Sequence, residues 1–170
     1  MRKQLPLAVV FVVVLGGAIA IASPRNDDRE AQTHARTLRF GVAFSPFNFV
    51  DIGERGISPG DEITAHDRLF NRRDIPSRVQ VGHDGVVCTV TNPHPVETIC
   101  EVIFRVPGGT ITGEFFSRPG PAPKHGAVTG GTGLYRKSRG HFTLVESGQD
   151  KNIKRNKLTI FVTDPVRRPT

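Results

Sequence analysis

The sequence predicts an all-β fold, an eight-stranded antiparallel barrel, and three observations carry that prediction. Short segments alternate apolar and polar residues with the period of a strand. Turn-forming clusters separate them, among them Ser58-Pro59-Gly60-Asp61, Asn92-Pro93-His94-Pro95, Pro107-Gly108-Gly109 and Pro119-Gly120-Pro121-Ala122-Pro123. With 18 Gly and 13 Pro in 170 residues, nothing after the first 22 residues sustains a long amphipathic helix, which argues against crossover connections and a parallel sheet. An open sheet of eight strands would expose two edges ready to pair with other chains, and closure removes both. A barrel of this strand number holds side chains and one small ligand.

Taken in order, the chain begins with Arg2 and Lys3 ahead of an uncharged run over residues 5–22 that ends in Ala20-Ile21-Ala22. Small residues three and one before Ser23 are the pattern of a secretory signal peptide spanning 1–22, which implies a secreted protein. The alternative is an uncleaved N-terminal membrane anchor, because 18 apolar residues lie near the ~17–25 that span a bilayer. No other run approaches that length, so cleavage would leave no stable membrane insertion. Residues 23–36 are polar and aperiodic and read as a flexible linker. The barrel domain is expected over 37–164, with strands at 38–50 (bent near Pro46), 62–70, 79–91, 96–106, 110–116, 126–130, 140–146 and 158–163. A basic tail, 165–170, closes the chain.

The formal net charge of +7 divides into +2 for residues 1–22, zero for 23–150 and +5 for 151–170. A neutral body with a basic end lacks the basic face that nucleic acid requires, so no nucleic-acid partner is expected. The basic end reads as a solvated segment, with contact to an anionic envelope surface as the alternative.

The two cysteines fall where an oxidising compartment would join them. A hairpin turn centred on His94 pairs Asn92 with Val96, Val90 with Thr98 and Cys88 with Cys100, so the two sulfurs face each other across neighbouring strands. Two inert buried thiols are the other reading. Two cysteines without a matching pair of histidines cannot complete a tetrahedral metal shell, and neither a metal nor another cofactor is expected.

Residues 128–138 hold the run Val-Thr-Gly-Gly-Thr-Gly-Leu-Tyr-Arg-Lys-Ser. It is not a phosphate loop, which needs glycine where Arg136 stands and a helix afterwards. Gly130, Gly131 and Gly133 read instead as a tight turn between strands. Together with Tyr135 and Arg136 they resemble the V-x-G-G-T-G-x-[FY]-R block of dirigent proteins and the G-G-[ST]-G block of allene oxide cyclases. Gly60-Asp61, followed by Asp67-Arg68-Leu69-Phe70, resembles the G-D and N-K-L-Y run of the cyclases, and Cys88, six residues after Gly82, falls where plant cyclases carry a cysteine. The resemblance covers roughly residues 38–164. It implies an allene oxide cyclase or dirigent-like barrel, commonly a homotrimer, with an apolar cavity inside. Asp67 stands where the cyclases have asparagine, and the only tyrosine, Tyr135, lies within the glycine block.

Strand parity singles out Asp67, because Ile63, Ala65, Asp67 and Leu69 share one face of the 62–70 segment and the carboxylate interrupts it. Facing a cavity, its charged form would be disfavoured and its pKa raised toward acid–base use. A buried structural hydrogen-bond network is the competing role. Asp51, near the first bend, is a weaker candidate for a carboxylate at the cavity mouth. Glu114 is read as exterior, and the six histidines show no local clustering in sequence. The functional expectation is a secreted barrel that binds a small apolar molecule and guides its cyclisation or stereochemistry. The alternative is a non-catalytic binding or structural barrel.

Overall fold

A computed structural model describes residues 33–71, 79–146 and 156–165. The chain divides into two compact units, residues 1–30 and 31–170. The first lies outside the described residues, as do the expected signal peptide, most of the linker and the tail beyond Pro165.

Among the described residues, ten strands form the fold: β1 Thr33–Ala43, β2 Asn48–Val50, β3 Glu62–Ala65, β4 Arg68–Asn71, β5 Gln80–Pro93, β6 Val96–Val106, β7 Gly109–Ser117, β8 Lys124–Gly131, β9 Arg139–Val145 and β10 Lys157–Pro165. A 3-10 turn, Gly133–Tyr135, lies between β8 and β9. All pairings are antiparallel, and the ring β5-β4-β1-β10-β9-β8-β7-β6 closes because β6 returns to pair with β5. The barrel has eight walls although ten strands are counted, since β1 with β2 and β3 with β4 are each one wall strand interrupted once. β4 pairs with one half of β5, from Gln80 to His83, and β3 with the other, from Val86 to Thr89. The first interruption falls at Pro46, where the sequence places its bend. The second, at His66 and Asp67, splits the segment expected as a single strand over 62–70.

Along β6 the alternation is strict: Thr98, Cys100, Val102, Phe104 and Val106 are buried, and Ile99, Glu101, Ile103 and Arg105 are exposed. The inward faces meet in one core that includes Phe40, Val42, Leu69, Phe104, Ile111, Phe142, Leu158, Ile160 and Val162. Phe104 and Phe115 both meet Phe142 edge-on, at 5.2 and 5.7 Å between ring centroids, an edge-to-face geometry that aromatic quadrupoles favour. Room for the Phe142 ring comes from Gly126 on its neighbouring strand, where a Cβ would lie 2.2 Å from the ring.

Two details differ from the sequence reading. β1 begins at Thr33 rather than near Leu38, because its first residues pair with the end of β10, Thr33 opposite Pro165 through Arg36 opposite Val162. The β5–β6 hairpin keeps Cys88 opposite Cys100 and Val90 opposite Thr98, but a bulge after Val90 sets Asn92 opposite Glu97, not Val96. An extra residue on one strand shifts the register only on the turn side of the bulge. Cys88 and Cys100 are joined by a disulfide. No helix among the described residues is long and apolar enough to cross a membrane.

Candidate functional site

The two wall interruptions lie side by side, and side chains take over the hydrogen bonds that the broken ladders lack. Beyond the Ala43–Arg68 pair, the Ser45 hydroxyl accepts the His66 N–H at 3.1 Å. Asp67 Oδ1 accepts the Ser45 N–H at 2.7 Å and its hydroxyl at 3.2 Å. Asp84 Oδ1 accepts the Asp67 N–H at 3.0 Å, and the Asp84 N–H donates to the Asp67 carbonyl at 3.0 Å. Asp67, the sequence candidate, therefore stands beside a second carboxylate that sequence reasoning missed. The missing signal was available: Gly82, Asp84, Val86, Cys88 and Val90 share one face of β5, and Asp84 interrupts it as Asp67 interrupts its own.

Both carboxylates are buried, Asp67 at 6% and Asp84 at 5% exposure. Burial raises the pKa of Asp67, and the negative charge of Glu146 adds to it, against the lowering hydrogen bonds from Ser45 and the charge of His66. For Asp84, burial and then the charge of Asp67 push the pKa up to about 7, partly offset by the Asp67 N–H. Each carboxylate accepts its hydrogen bonds through Oδ1 alone; Oδ2 of each has no partner among the described residues. Glu146, one-third exposed, forms an ion pair at 3.3 Å with the buried Lys124, whose ammonium also donates to the Gly120 carbonyl at 2.7 Å. The seam thus combines two buried carboxyl groups, both with raised pKa values, with a nearby Glu–Lys pair.

The other expected residues serve the framework. Asp51 is exposed, and its carboxylate accepts the Gly56 N–H at 3.1 Å, so it shapes its own loop rather than contributing to the seam. Asp61 of the Gly-Asp motif is fully buried and accepts from the N–H groups of Ile52, Gly53 and Ser58 and from the Ser58 hydroxyl, and the Ile52 bond leads the lowering of its pKa. Glu114 is exposed, opposite Glu101. His66 and His83, unrelated in sequence spacing, meet across strands with ring centroids 4.8 Å apart. No group of three or more His, Cys, Asp or Glu among the described residues could hold a metal ion.

The glycine motif packs on the β6–β7 turn at one end of the barrel. Gly133 has φ +58° and lies so near the β6–β7 turn that a Cβ would sit 2.3 Å from the Gly108 carbonyl, which leaves room for glycine only. The Leu134 N–H donates to that carbonyl at 2.9 Å, and the buried Tyr135 hydroxyl donates to the Pro107 carbonyl at 3.0 Å. Tyr135, Pro107 and Asn71 line a cavity of about 550 Å³ at this end.

The closed antiparallel barrel has an allene oxide cyclase/dirigent-like fold. No protein-family model and no curated protein matches the sequence. Among solved structures, the fold is similar to a pyocyanin demethylase, at TM-score 0.62 and 28% identity, over 75% of this chain and 99% of that one. It is also similar to a pterocarpan synthase dirigent protein, at TM-score 0.56 and 17% identity, over 82% and 91% of the two chains. A Diels-Alderase from Streptomyces koyangensis gives TM-score 0.55 and 14% identity, over 78% of this chain and 64% of that one.

Proposed function

We propose that the chain is a secreted barrel that holds a small apolar molecule against the Asp67–Asp84 seam and guides its cyclisation or stereochemistry. The single observation carrying this reading is the buried carboxyl pair with two uncommitted Oδ2 atoms. One carboxyl near neutral pKa can give a proton while its neighbour receives one, the pairing that acid–base catalysis needs. Apolar walls around it would order a reactive conformer, which contributes through proximity and orientation. Support from outside the molecule comes from the similarity to dirigent and Diels-Alderase barrels. The N-terminal apolar run and the Cys88–Cys100 bond support secretion.

A second reading, a non-catalytic binding or structural barrel, is favoured by one fact: both Oδ1 atoms replace missing ladder bonds. Asp67→Asn separates the two, since it keeps shape and Oδ1 but removes the titrating proton. Small molecules extracted from the secreted protein are identified by mass spectrometry and returned to wild type and variant; pyocyanin is the first compound added independently. The catalytic reading expects turnover to fall ~100-fold or more with binding little changed. Loss of ~1–3 kcal/mol of stability with an unchanged product profile supports the structural role. If nothing small is recovered and pyocyanin neither binds nor changes, the ligand-guiding reading fails.

A further inference from the structure

We propose that the outer wall of β4, β5 and β6 carries a phosphate-binding site built from Arg68, His83 and Arg105, with His66 at its edge. Buried Asp67, Leu69, Asp84 and Phe104 face the core, so their chain neighbours His66, Arg68, His83 and Arg105 face outward. Register then sets three of them side by side. Arg68 lies opposite His83, and His83 opposite Arg105, which makes a row of basic side chains across three strands. Neighbouring strands are about 5 Å apart, so the two arginines flank His83 with their backbones about 10 Å from each other. His66, in the wall interruption, brings its ring centroid to 4.8 Å from that of His83.

Basic groups set opposite one another on adjacent strands are unfavourable unless a negative group offsets them. The ion pairs among the described residues, Arg118–Glu97 and Lys124–Glu146, lie elsewhere, and the Arg68 guanidinium rests 5.9 Å over the Phe70 ring. The bordering positions are neutral: Ala43 opposite Arg68, Thr110 opposite Arg105, and the Gly85–Ile103 pair next to His83 and Arg105. Asp67 and Asp84 are buried on the other side of the wall, and the exposed carboxylate on β6, Glu101, is four residues or roughly 13 Å of strand from Arg105. Beside His83 the floor is bare backbone. A Cβ at Gly85 would meet no heavy atom within 4 Å among the described residues, and this open floor lies on the side of the row away from the β4–β5 connection.

These features select a phosphate group. Two permanent positive charges match the dianion of a phosphate monoester, the guanidinium forks offer paired N–H donors to its oxygens, and an imidazole N–H supplies a further donor between them. A soluble phosphate monoester and a phospholipid headgroup present the same group, and the experiment separates them.

The secreted protein is titrated calorimetrically with inorganic phosphate in sodium chloride at constant ionic strength. Wild type should bind saturably, and Arg68→Gln and Arg105→Gln should each weaken binding by about tenfold or more, the loss of one charge-assisted contact. Both arginines are exposed, so the variants stay folded; phosphate should raise the melting temperature of the wild type and have little effect on theirs. Arg39→Gln, an exposed position on β1 outside the row, should bind as the wild type does. Flotation with phosphatidic acid vesicles that free phosphate competes away would make a headgroup the source, and saturable phosphate binding without flotation would make it a soluble monoester. No saturable binding of phosphate above the chloride background, binding that survives both substitutions in the row, or an equal loss in Arg39→Gln would each overturn the site.

Discussion

Asp67 and Asp84 hold each other through two hydrogen bonds of 3.0 Å, the Asp67 N–H to the Asp84 carboxylate and the Asp84 N–H to the Asp67 carbonyl. One residue's side chain thus completes the main-chain pairing of the other where β3 gives way to β4. Structural and chemical roles therefore fall on the same atoms, and pH becomes the variable that distinguishes them.

Asp84→Asn should flatten the pH dependence of stability. The folded pKa of Asp84, about 7, lies above its unfolded value, so the folded state binds more protons between the two. Stability present below about pH 4 is then lost as the pH rises through 7, at most roughly 4 kcal/mol at about 1.4 kcal/mol per unit. The asparagine keeps the oxygen that accepts the Asp67 N–H and does not ionise. Melting temperatures followed from pH 4.5 to 8.5 should fall more steeply for the wild type than for the variant, in which Asp67 alone keeps a raised pKa; parallel curves would show that Asp84 ionises as freely folded as unfolded.

Ser45→Ala should raise the pKa of Asp67 further, because both Ser45 donors lower it and the hydroxyl is lost. It also removes the acceptor of the His66 N–H, which is exposed to water, at a cost of at most ~1 kcal/mol. Carbon-detected NMR titration of the Asp67 carboxyl gives the first quantity and urea unfolding the second. An unmoved titration would show that the hydroxyl does not bond the carboxylate in solution.

Non-reducing peptide mapping should recover Cys88 joined to Cys100. The bond closes a loop of sequence separation 12, for which loop entropy gives ~3 kcal/mol, so reduction should lower the urea midpoint accordingly. Two free thiols in protein from oxidising medium would contradict the pairing.

Self-association should follow from the outer face of β5, β6 and β7. Val87, Ile99, Ile103 and Phe116 are exposed there, and Ile99 lies opposite Phe116. These apolar side chains flank the exposed Glu101 and Glu114 on the same face, and we propose that the face is covered in a homotrimer. Sedimentation at micromolar concentration should give three chains for the wild type and one for Ile103→Lys. A monomeric wild type would exclude the trimer.

The fold was legible because alternation, turn clusters and glycine each report local physics. The β6 boundaries and the cysteine pairing followed directly from parity counted across a hairpin. Parity also found Asp67. It missed Asp84 because the rule was not carried to the 79–91 segment, where a single carboxylate among valines is as conspicuous. What lay beyond reach depended on contacts between distant residues. Nothing local marks Ser45 as the partner of Asp67, His66 as the neighbour of His83, or Asp51 as a brace for Gly56. The bulge after Val90 was equally hidden, since a one-residue slip near a turn leaves the farther pairs intact.

The coincident wall interruptions make the molecule its own reporter. In an ordinary ladder an amide proton points at a carbonyl and is blind to pH, but here the Ser45 amide points at the Asp67 carboxylate and the Asp67 amide at that of Asp84. Each amide resonance will therefore move with the ionisation of the group it faces. Two backbone signals then follow the coupled titration of the carboxyl pair from its two sides, without a substrate or a substitution.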